Sequence, residues 1–142
     1  LSLIEEKLVD PLVVINGDII SDLSFSDVIT FHERNKAAAT MVGRPYEVQN
    51  PFGVIVTDGV HLDSFDEKPV YTSLVNAGIY IINPEMLRHL ELNQYCDMPT
   101  LLLRIKERSP VVVYPMYERW LDVGRPEDLM AARSLDDDLI ES

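Results

Sequence analysis

The stretch that decides the fold is Pro11-Leu-Val-Val-Ile-Asn-Gly-Asp-Ile-Ile20. Its four apolar residues, Leu12–Ile15, have the length and the β-branched content of a buried strand. The apolar run stops abruptly on Asn16, Gly17 and Asp18. A plain turn explains such an ending, and the motif alone favours it, because these residue types are common in turns. The alternative is a metal site, because ligands gather at the carboxyl ends of strands in open α/β sheets and aspartate is a hard oxygen ligand suited to Mg²⁺.

Composition and charge narrow the classes of function. The chain has 142 residues, about one domain, with 46% hydrophobic and 25% charged residues, which is ordinary for a soluble globular protein. A formal net charge of −12 argues against nonspecific binding to nucleic acid or to an anionic membrane. No apolar run approaches the ~18 residues of a membrane span. The single cysteine, Cys96, excludes an internal disulfide and, with no signal peptide, fits a cytoplasmic protein.

Strand-like and helix-like segments alternate along the chain. The apolar patterns predict strands at residues 12–16, 37–42, 74–82, 111–114 and 120–123, a hairpin at 53–65, and helices at 1–8, 22–34, 84–92, 99–108 and 125–134. The dipeptide Asp58-Gly59 predicts the hairpin turn. This order predicts an α/β fold with a mixed, mostly parallel sheet covered by helices on both faces. We expect one domain over residues 1–134 and an acidic tail over residues 135–142.

A charged motif, Phe65-Asp-Glu-Lys-Pro69, ends the predicted hairpin. Lys68 carries a compact charge that suits a phosphate, and Glu67 can accept hydrogen bonds from sugar hydroxyl groups. Charged residues at the end of a hairpin strand are more often simply solvated. The motif alone therefore favours a structural explanation.

Two further motifs place polar residues within β-rich segments. In Asn76-Ala-Gly-Ile-Tyr80, Asn76 offers both a donor and an acceptor, and Gly78 either permits close approach of a ligand or marks a bulge. In Trp120-Leu-Asp-Val-Gly124, Asp122 lies between apolar neighbours, where a half-buried carboxylate needs a metal or hydrogen-bond donors. A surface aspartate on an edge strand is the alternative.

Other chemistries find no support in the sequence. The three histidines show no zinc-ligand spacing with Cys96. The chain contains no G-x-S-x-G, no G-x-G-x-x-G and no P-loop.

The order of these motifs resembles that of the sugar-1-phosphate nucleotidyltransferase family, the pyrophosphorylase group that includes glucose-1-phosphate thymidylyltransferases and mannose-1-phosphate guanylyltransferases. The resemblance covers nearly all of residues 1–134. It rests on Val14-Ile-Asn-Gly-Asp18, Asn50-Pro-Phe-Gly-Val-Ile55, Glu67-Lys-Pro69, Asn76-Ala-Gly-Ile-Tyr80 and Trp120-Leu-Asp-Val-Gly-Arg-Pro-Glu-Asp-Leu129. The last motif and Asp97-Met-Pro-Thr-Leu-Leu102 look most like the guanylyltransferase-like branch. The resemblance implies a Rossmann-like nucleotide-diphospho-sugar transferase fold.

The resemblance also implies roles for particular residues. Asp18 and Asp122 look like the two metal-binding aspartates of the family, which would hold Mg²⁺ between them. Lys68 looks like the residue that grips the sugar phosphate. The residues that look like sugar contacts are Gly17, Glu67, Asn76 and Gly78. The implied reaction is in-line attack by a sugar-1-phosphate oxygen on the α-phosphate of an NTP, with loss of pyrophosphate, and its catalysis is mainly positioning and electrostatics.

The main departure from the family is an absence. The glycine-rich signature of the family, which binds the triphosphate, has no counterpart in this chain. We therefore expect the chain to be the C-terminal part of an enzyme, without the N-terminal strand-helix units and with little or no activity alone. We also expect open strand edges that favour self-association into a homo-oligomer. The base and the sugar cannot be read from the sequence.

Two alternatives remain open at this point. One is a non-catalytic relative that kept the sugar-phosphate pocket for binding or regulation. The other is a glycosyltransferase of similar fold, which is less favoured because Asn16-Gly-Asp18 lacks the Asp-x-Asp spacing of that class.

Overall fold

The computed structural model describes residues 8–91 and 94–124. Its elements in chain order are β1 (Leu12–Ile15), β2 (Ile19–Ser21), α1 (Phe25–Arg34), β3 (Ala39–Gln49), β4 (Val54–Asp58), β5 (His61–Asp66), β6 (Val70–Ile82), a 3₁₀ helix (Pro84–His89), α2 (Met98–Lys106), β7 (Val111–Pro115) and β8 (Trp120–Asp122). The predicted order of strands and helices is confirmed within these residues with two corrections: β2 was not predicted, and the helix predicted at residues 84–92 is a 3₁₀ helix over Pro84–His89. β3 and β6 are longer than predicted. The predicted helices at residues 1–8 and 125–134 and the acidic tail lie outside the described residues.

The centre of the fold is a four-stranded sheet in the order β1-β6-β3-β7. The predicted mixed sheet is confirmed, and β1, β3 and β7 do run in the same direction. The prediction that the sheet is mostly parallel is wrong for strand pairing, because β6 is antiparallel to both β1 and β3 and only β3 and β7 form a parallel pair. The physical reason is the hairpin of β4 and β5, which returns the chain directly to β3 and so leaves β6 antiparallel to it.

Helices cover both faces of this sheet because β6 is apolar on both sides. Successive side chains of a strand point to opposite faces. Ile79 and Ile81 pack in one cluster with Val28 of α1, whereas Tyr80 and Ile82 pack in the other with α2. All four β6 side chains are at most 1% exposed. The predicted two-sided covering by helices is therefore confirmed.

A buried histidine ties α1 to the sheet. His32 is 2% exposed. Its Nδ1 lies 2.8 Å from Thr40 Oγ1 of β3, and its Nε2 lies 3.0 Å from Asn83 Oδ1 after β6. Asn83 in turn donates from Nδ2 to the Ala37 carbonyl at 2.9 Å. Each polar atom of the imidazole thus has a partner, as burial requires.

Beyond the helices, β3 and β6 continue as an exposed two-stranded arm. The arm consists of residues 44–49 of β3 paired with residues 70–75 of β6. The hairpin of β4 and β5 connects the outer ends of these two strands, and its side chains are mostly exposed. Its turn begins at Gly59, which has the left-handed φ of 58° that suits a tight hairpin.

An aspartate caps α2. Asp97 Oδ1 accepts a hydrogen bond of 2.8 Å from the Thr100 backbone N–H. The hydrogen bonds with Thr100 hold the pKa of Asp97 below its usual value. The charged carboxylate therefore binds the helix terminus better than the neutral acid does.

The cap should contribute a pH-dependent part of the stability. Because the folded-state pKa of Asp97 is lowered, its contribution is present above the unfolded value of about 3.9 and is lost as the pH falls through the folded value. Asp97→Ala should lower the Tm at pH 7, and the difference from the wild type should shrink in acid. Asp97→Asn, which keeps a capping oxygen at every pH, is the control. A Tm difference for Asp97→Ala that is constant from pH 7 to pH 2 would contradict this explanation.

β1 leaves one edge of the sheet open. Its only strand partner among residues 8–91 and 94–124 is β6. Val13 and Ile15 on this strand are 39% and 42% exposed. An open edge with apolar side chains favours pairing with another chain.

Val13→Lys should reduce concentration-dependent self-association in sedimentation velocity, because lysine on an edge strand opposes strand pairing. Leu103→Lys is the matched control, since Leu103 is 62% exposed on α2, away from any strand edge. Each lysine makes the net charge less negative by one, so only Val13→Lys should act. A wild-type chain that stays monomeric over a wide concentration range would sink the prediction, as would an equal effect of both variants.

Candidate active site at the end of β1

Two predicted site residues lie where β2 pairs with β8: Asp18 directly precedes β2, and Asp122 is the last residue of β8. Ile19 pairs with Asp122 in the antiparallel register of β2 and β8. The Val123 backbone N–H donates to the Asp18 carbonyl oxygen at 2.8 Å. Both aspartates are exposed. The fold thus brings the backbones of these two residues, which are far apart in sequence, next to each other.

A bulge in β6 brings two more predicted residues to the same place. Between its register positions Asn76 and Tyr80, β6 has three residues where β3 has one. Gly78, inside the bulge, adopts a φ of 73°, which side chains other than glycine rarely accept. The Asn16 N–H donates to the Gly78 carbonyl at 2.8 Å. The turn after β1 is therefore bonded directly to the bulge.

Asn76 has a structural function that its motif did not predict. Its Oδ1 accepts the Gly78 backbone N–H at 3.0 Å, and its Nδ2 donates to the Tyr80 hydroxyl at 2.7 Å. The amide side chain can form up to four hydrogen bonds. Asn76 therefore stabilises the bulge and keeps capacity for a ligand.

Gly17 lies between Asn16 and Asp18 with space around it. A Cβ built on Gly17 would have no neighbouring atom within 4 Å. Its predicted role as a sugar contact is compatible with this open space. Packing of the described residues does not itself require glycine at this position.

Sequence reasoning missed Arg44 altogether. Its Nη1 donates to the Trp120 carbonyl at 3.0 Å, and its guanidinium carbon lies 5.5 Å from the centroid of the Trp120 ring. The indole Nε1 of Trp120 donates to the Ala77 carbonyl in the bulge at 2.8 Å. No motif marks Arg44. The sequence distinguishes Arg44 only as a positively charged residue that directly follows the apolar first half of β3.

Glu67 and Lys68 lie elsewhere, between β5 and β6. Both are exposed, and Lys68 has a positive φ of 48°. Glu67 Oε2 lies beside Gly53, where an added Cβ would be only 3.0 Å away. The chain is extended from Val70 to Asn76, and at about 3.3 Å per residue Val70 lies roughly 20 Å from Asn76. The contacts of the described residues do not join Glu67 and Lys68 to the aspartates, so their roles stay predictions.

The chemistry of the two aspartates is compatible with a divalent metal ion, because carboxylate oxygens are the ligands that Mg²⁺ prefers. Neither carboxylate has a hydrogen bond or an ion pair within the described part of the chain. Mg²⁺ usually takes one or two carboxylates, several waters and phosphate oxygens of a substrate. No group of three or more His, Cys, Asp or Glu side chains is arranged for metal binding in residues 8–91 and 94–124. A metal at Asp18 and Asp122 would therefore complete its coordination with water and substrate.

Comparison with known proteins identifies the family of this chain. The family model described as Nucleotidyl transferase matches residues 2–138, and the chain belongs to that family. No helix in the described part of the chain is both long and apolar enough to cross a membrane.

Two relatives are similar along most of this chain. Mannose-1-phosphate guanyltransferase of Yarrowia lipolytica is 34% identical over 129 residues, which are 88% of this chain and 36% of that protein. Mannose-1-phosphate guanylyltransferase catalytic subunit beta of Danio rerio is 32% identical over 137 residues, which are 92% of this chain and 38% of that protein. The chain thus spans well under half the length of these relatives.

The same fold occurs in a solved structure. HddC from Yersinia pseudotuberculosis superposes with a TM-score of 0.59 at 23% identity, covering 92% of this chain and 56% of that chain. This likeness supports the Rossmann-like fold that the sequence predicted.

Gly78→Ala should destabilise the protein by more than Gly59→Ala. Both glycines have positive φ, so each alanine pays about 1–2 kcal/mol for a left-handed conformation. A Cβ on Gly78 would also lie 2.8 Å from Asn16 Nδ2, whereas one on Gly59 would meet nothing within 4 Å. Urea unfolding of both variants measures the difference. Equal losses would show that the contact between the bulge and Asn16 is not tight.

Proposed function

We propose that the protein to which this chain belongs transfers a nucleotidyl group from an NTP to a sugar-1-phosphate, giving an NDP-sugar and pyrophosphate. In this proposal the chain supplies the sugar-phosphate side of the site and holds Mg²⁺ between Asp18 and Asp122. The observation that supports the proposal is the pairing of β2 with β8, which puts the backbone of Asp18, just before β2, beside the end of β8 that carries Asp122. Family membership supports the reaction class.

The names of the relatives favour a particular pair of substrates. Both relatives described above are named as enzymes that act on mannose 1-phosphate with a guanylyl group. We therefore propose mannose 1-phosphate as the acceptor and GTP as the donor. The proposal includes a cytoplasmic location, where nucleotide substrates are made available, and no nucleic-acid partner. Assembly into a homo-oligomer remains part of the proposal.

The chemistry needs no covalent intermediate. A phosphate oxygen of the sugar-1-phosphate forms a bond to the α-phosphorus of the NTP as the bond from that phosphorus to the leaving pyrophosphate oxygen breaks. Bound Mg²⁺ supplies neutralisation of charge on the phosphate oxygens. Asp18 and Asp122 would hold the metal, Gly17 leaves room beside them, and Asn76 would offer its unused amide groups to sugar hydroxyls. Lys68 would neutralise the acceptor phosphate.

The test is an NMR titration of the 142-residue chain with mannose 1-phosphate and glucose 1-phosphate, with and without Mg²⁺. We expect Mg²⁺-dependent shifts at Gly17, Asp18, Asn76 and Asp122, with mannose 1-phosphate the stronger ligand. Asp18→Asn should abolish the Mg²⁺ dependence because the neutral amide is a poor ligand for a hard cation. Asp63→Asn is the control, since Asp63 is an equally exposed aspartate on β5.

Identical titrations of the wild type and Asp18→Asn would refute the metal site. Release of pyrophosphate by the intact parent protein from GTP and mannose 1-phosphate would establish transfer. Binding of the sugar phosphate without release of pyrophosphate would instead favour the non-catalytic relative. The expectation that this chain has little or no turnover by itself stays a prediction, which the same assay tests.

A further inference from the structure

The aspartate pair lies on a small sheet that strand pairing does not join to the main sheet. β2 and β8 form a two-stranded sheet of their own. Their mutual register fixes Asp18 relative to Asp122 in the backbone, but it does not fix either residue relative to Asn76 and Gly78 on β6. Other contacts must therefore set the position of β8 against the bulge.

The contacts at β8 converge on Trp120. Its indole N–H donates to the Ala77 carbonyl in the bulge at 2.8 Å, and its own carbonyl accepts from Arg44 Nη1 at 3.0 Å. The guanidinium also lies over the indole ring, 5.5 Å from the ring centroid, in the range of a cation–π interaction. Trp120 is thus held by both its side chain and its backbone.

We infer that Arg44 is a positioning residue for the candidate metal site, because it holds β8, and with it Asp122, against the bulge of β6. This inference rests on the proposed function. Trp120 and Asp122 are two residues apart on one strand, so their side chains lie on the same face of β8. A rotation of the strand that moves Trp120 therefore also moves the carboxylate of Asp122.

Arg44 is itself fixed by the main sheet. It belongs to β3, where it pairs with Val75 next to the bulge. Arg44 makes no ion pair within the described residues, in which Arg119 and Asp22 form an ion pair. A guanidinium has five donors in a rigid plane, so it can bond a carbonyl and stack on a ring at the same time. Lysine cannot do both with the same geometry.

The experiment compares Mn²⁺ binding by the wild type, Arg44→Gln and Arg44→Lys in the 142-residue chain. Mn²⁺ is a paramagnetic substitute for Mg²⁺, and broadening of the amide signals of Asp18 and Val123 that is lost in Asp122→Asn reports binding at this site. We expect Arg44→Gln to weaken site-specific binding by about tenfold or more, as is typical when the support of a metal ligand is lost. Arg44→Lys should rescue binding in part.

Loss of positioning and loss of charge change the affinity of Arg44→Gln for a cation in opposite directions, so the experiment distinguishes them. Removing a positive charge near a cation site should strengthen cation binding, so weaker binding by Arg44→Gln must come from lost positioning. Arg119→Gln is the matched control, because Arg119 adjoins β8 but pairs with the exposed Asp22 rather than with Trp120. Thermal unfolding of each variant ensures that binding is measured on folded protein.

The outcomes separate the two proposals. If Mn²⁺ does not broaden the wild-type signals, or broadens them equally in Asp122→Asn, the metal site fails and the positioning inference fails with it. If the wild type binds Mn²⁺ at this site and Arg44→Gln binds it equally well, only the positioning inference is overturned. Equal weakening in Arg44→Gln and Arg119→Gln would also overturn it.

Discussion

When one strand has two residues more than its neighbour, some backbone groups lose their partners in the ladder, and buried groups of this kind need other partners. β6 meets this condition at its bulge, between Asn76 and Tyr80. The Gly78 carbonyl bonds to the Asn16 N–H, and the Ala77 carbonyl bonds to the indole of Trp120. The need of the bulge for partners therefore draws together the segments that carry Asp18 and Asp122.

The same constraint explains why glycine stands at position 78. The positive φ of Gly78 lets the chain form the bulge, and the absence of a Cβ lets Asn16 approach its backbone. A site built in this way depends on backbone hydrogen bonds more than on side-chain packing. Its geometry consequently depends on the sheet to which β6 belongs, and β6 is buried on both faces where it leaves the bulge, at Ile79–Ile82.

Local patterns were sufficient to predict much of this arrangement. The apolar run before Asn16, the turn at Gly59 and the start of a helix at Pro84 depend on residues near in sequence, and the structure has each of them. The antiparallel placement of β6, the size of the bulge and the contact of Arg44 with Trp120 depend on which strands meet, which no local pattern reports. The sequence indicated that Gly78 either contacts a ligand or marks a bulge; the register of β3 with β6 confirms the bulge, and the ligand contact stays a prediction.

His32 illustrates the same limit in the core. Its position within a predicted helix followed from the sequence, but its burial did not. The partners that make burial tolerable, Thr40 and Asn83, come from β3 and from the segment after β6.

The predicted roles of Glu67 and Lys68 came from the resemblance to a family. Their position relative to Asn76 depends on the length of the arm. Apolar periodicity predicted both strands of the arm, β3 and β6, to be shorter than they are.

The two ends of the arm carry opposite charges. Asp18 and Asp122 add two carboxylates on neighbouring backbone segments to a chain of net charge −12, so in the proposed function an anionic sugar phosphate needs a cation at this place. Lys68 carries a positive charge on the connection between β5 and β6, where it is exposed to solvent. In the proposed function, a phosphate bound at the aspartates would therefore depend first on a divalent ion and only then on Lys68. This order follows from the signs of the charges, because two carboxylates attract a cation and repel a phosphate.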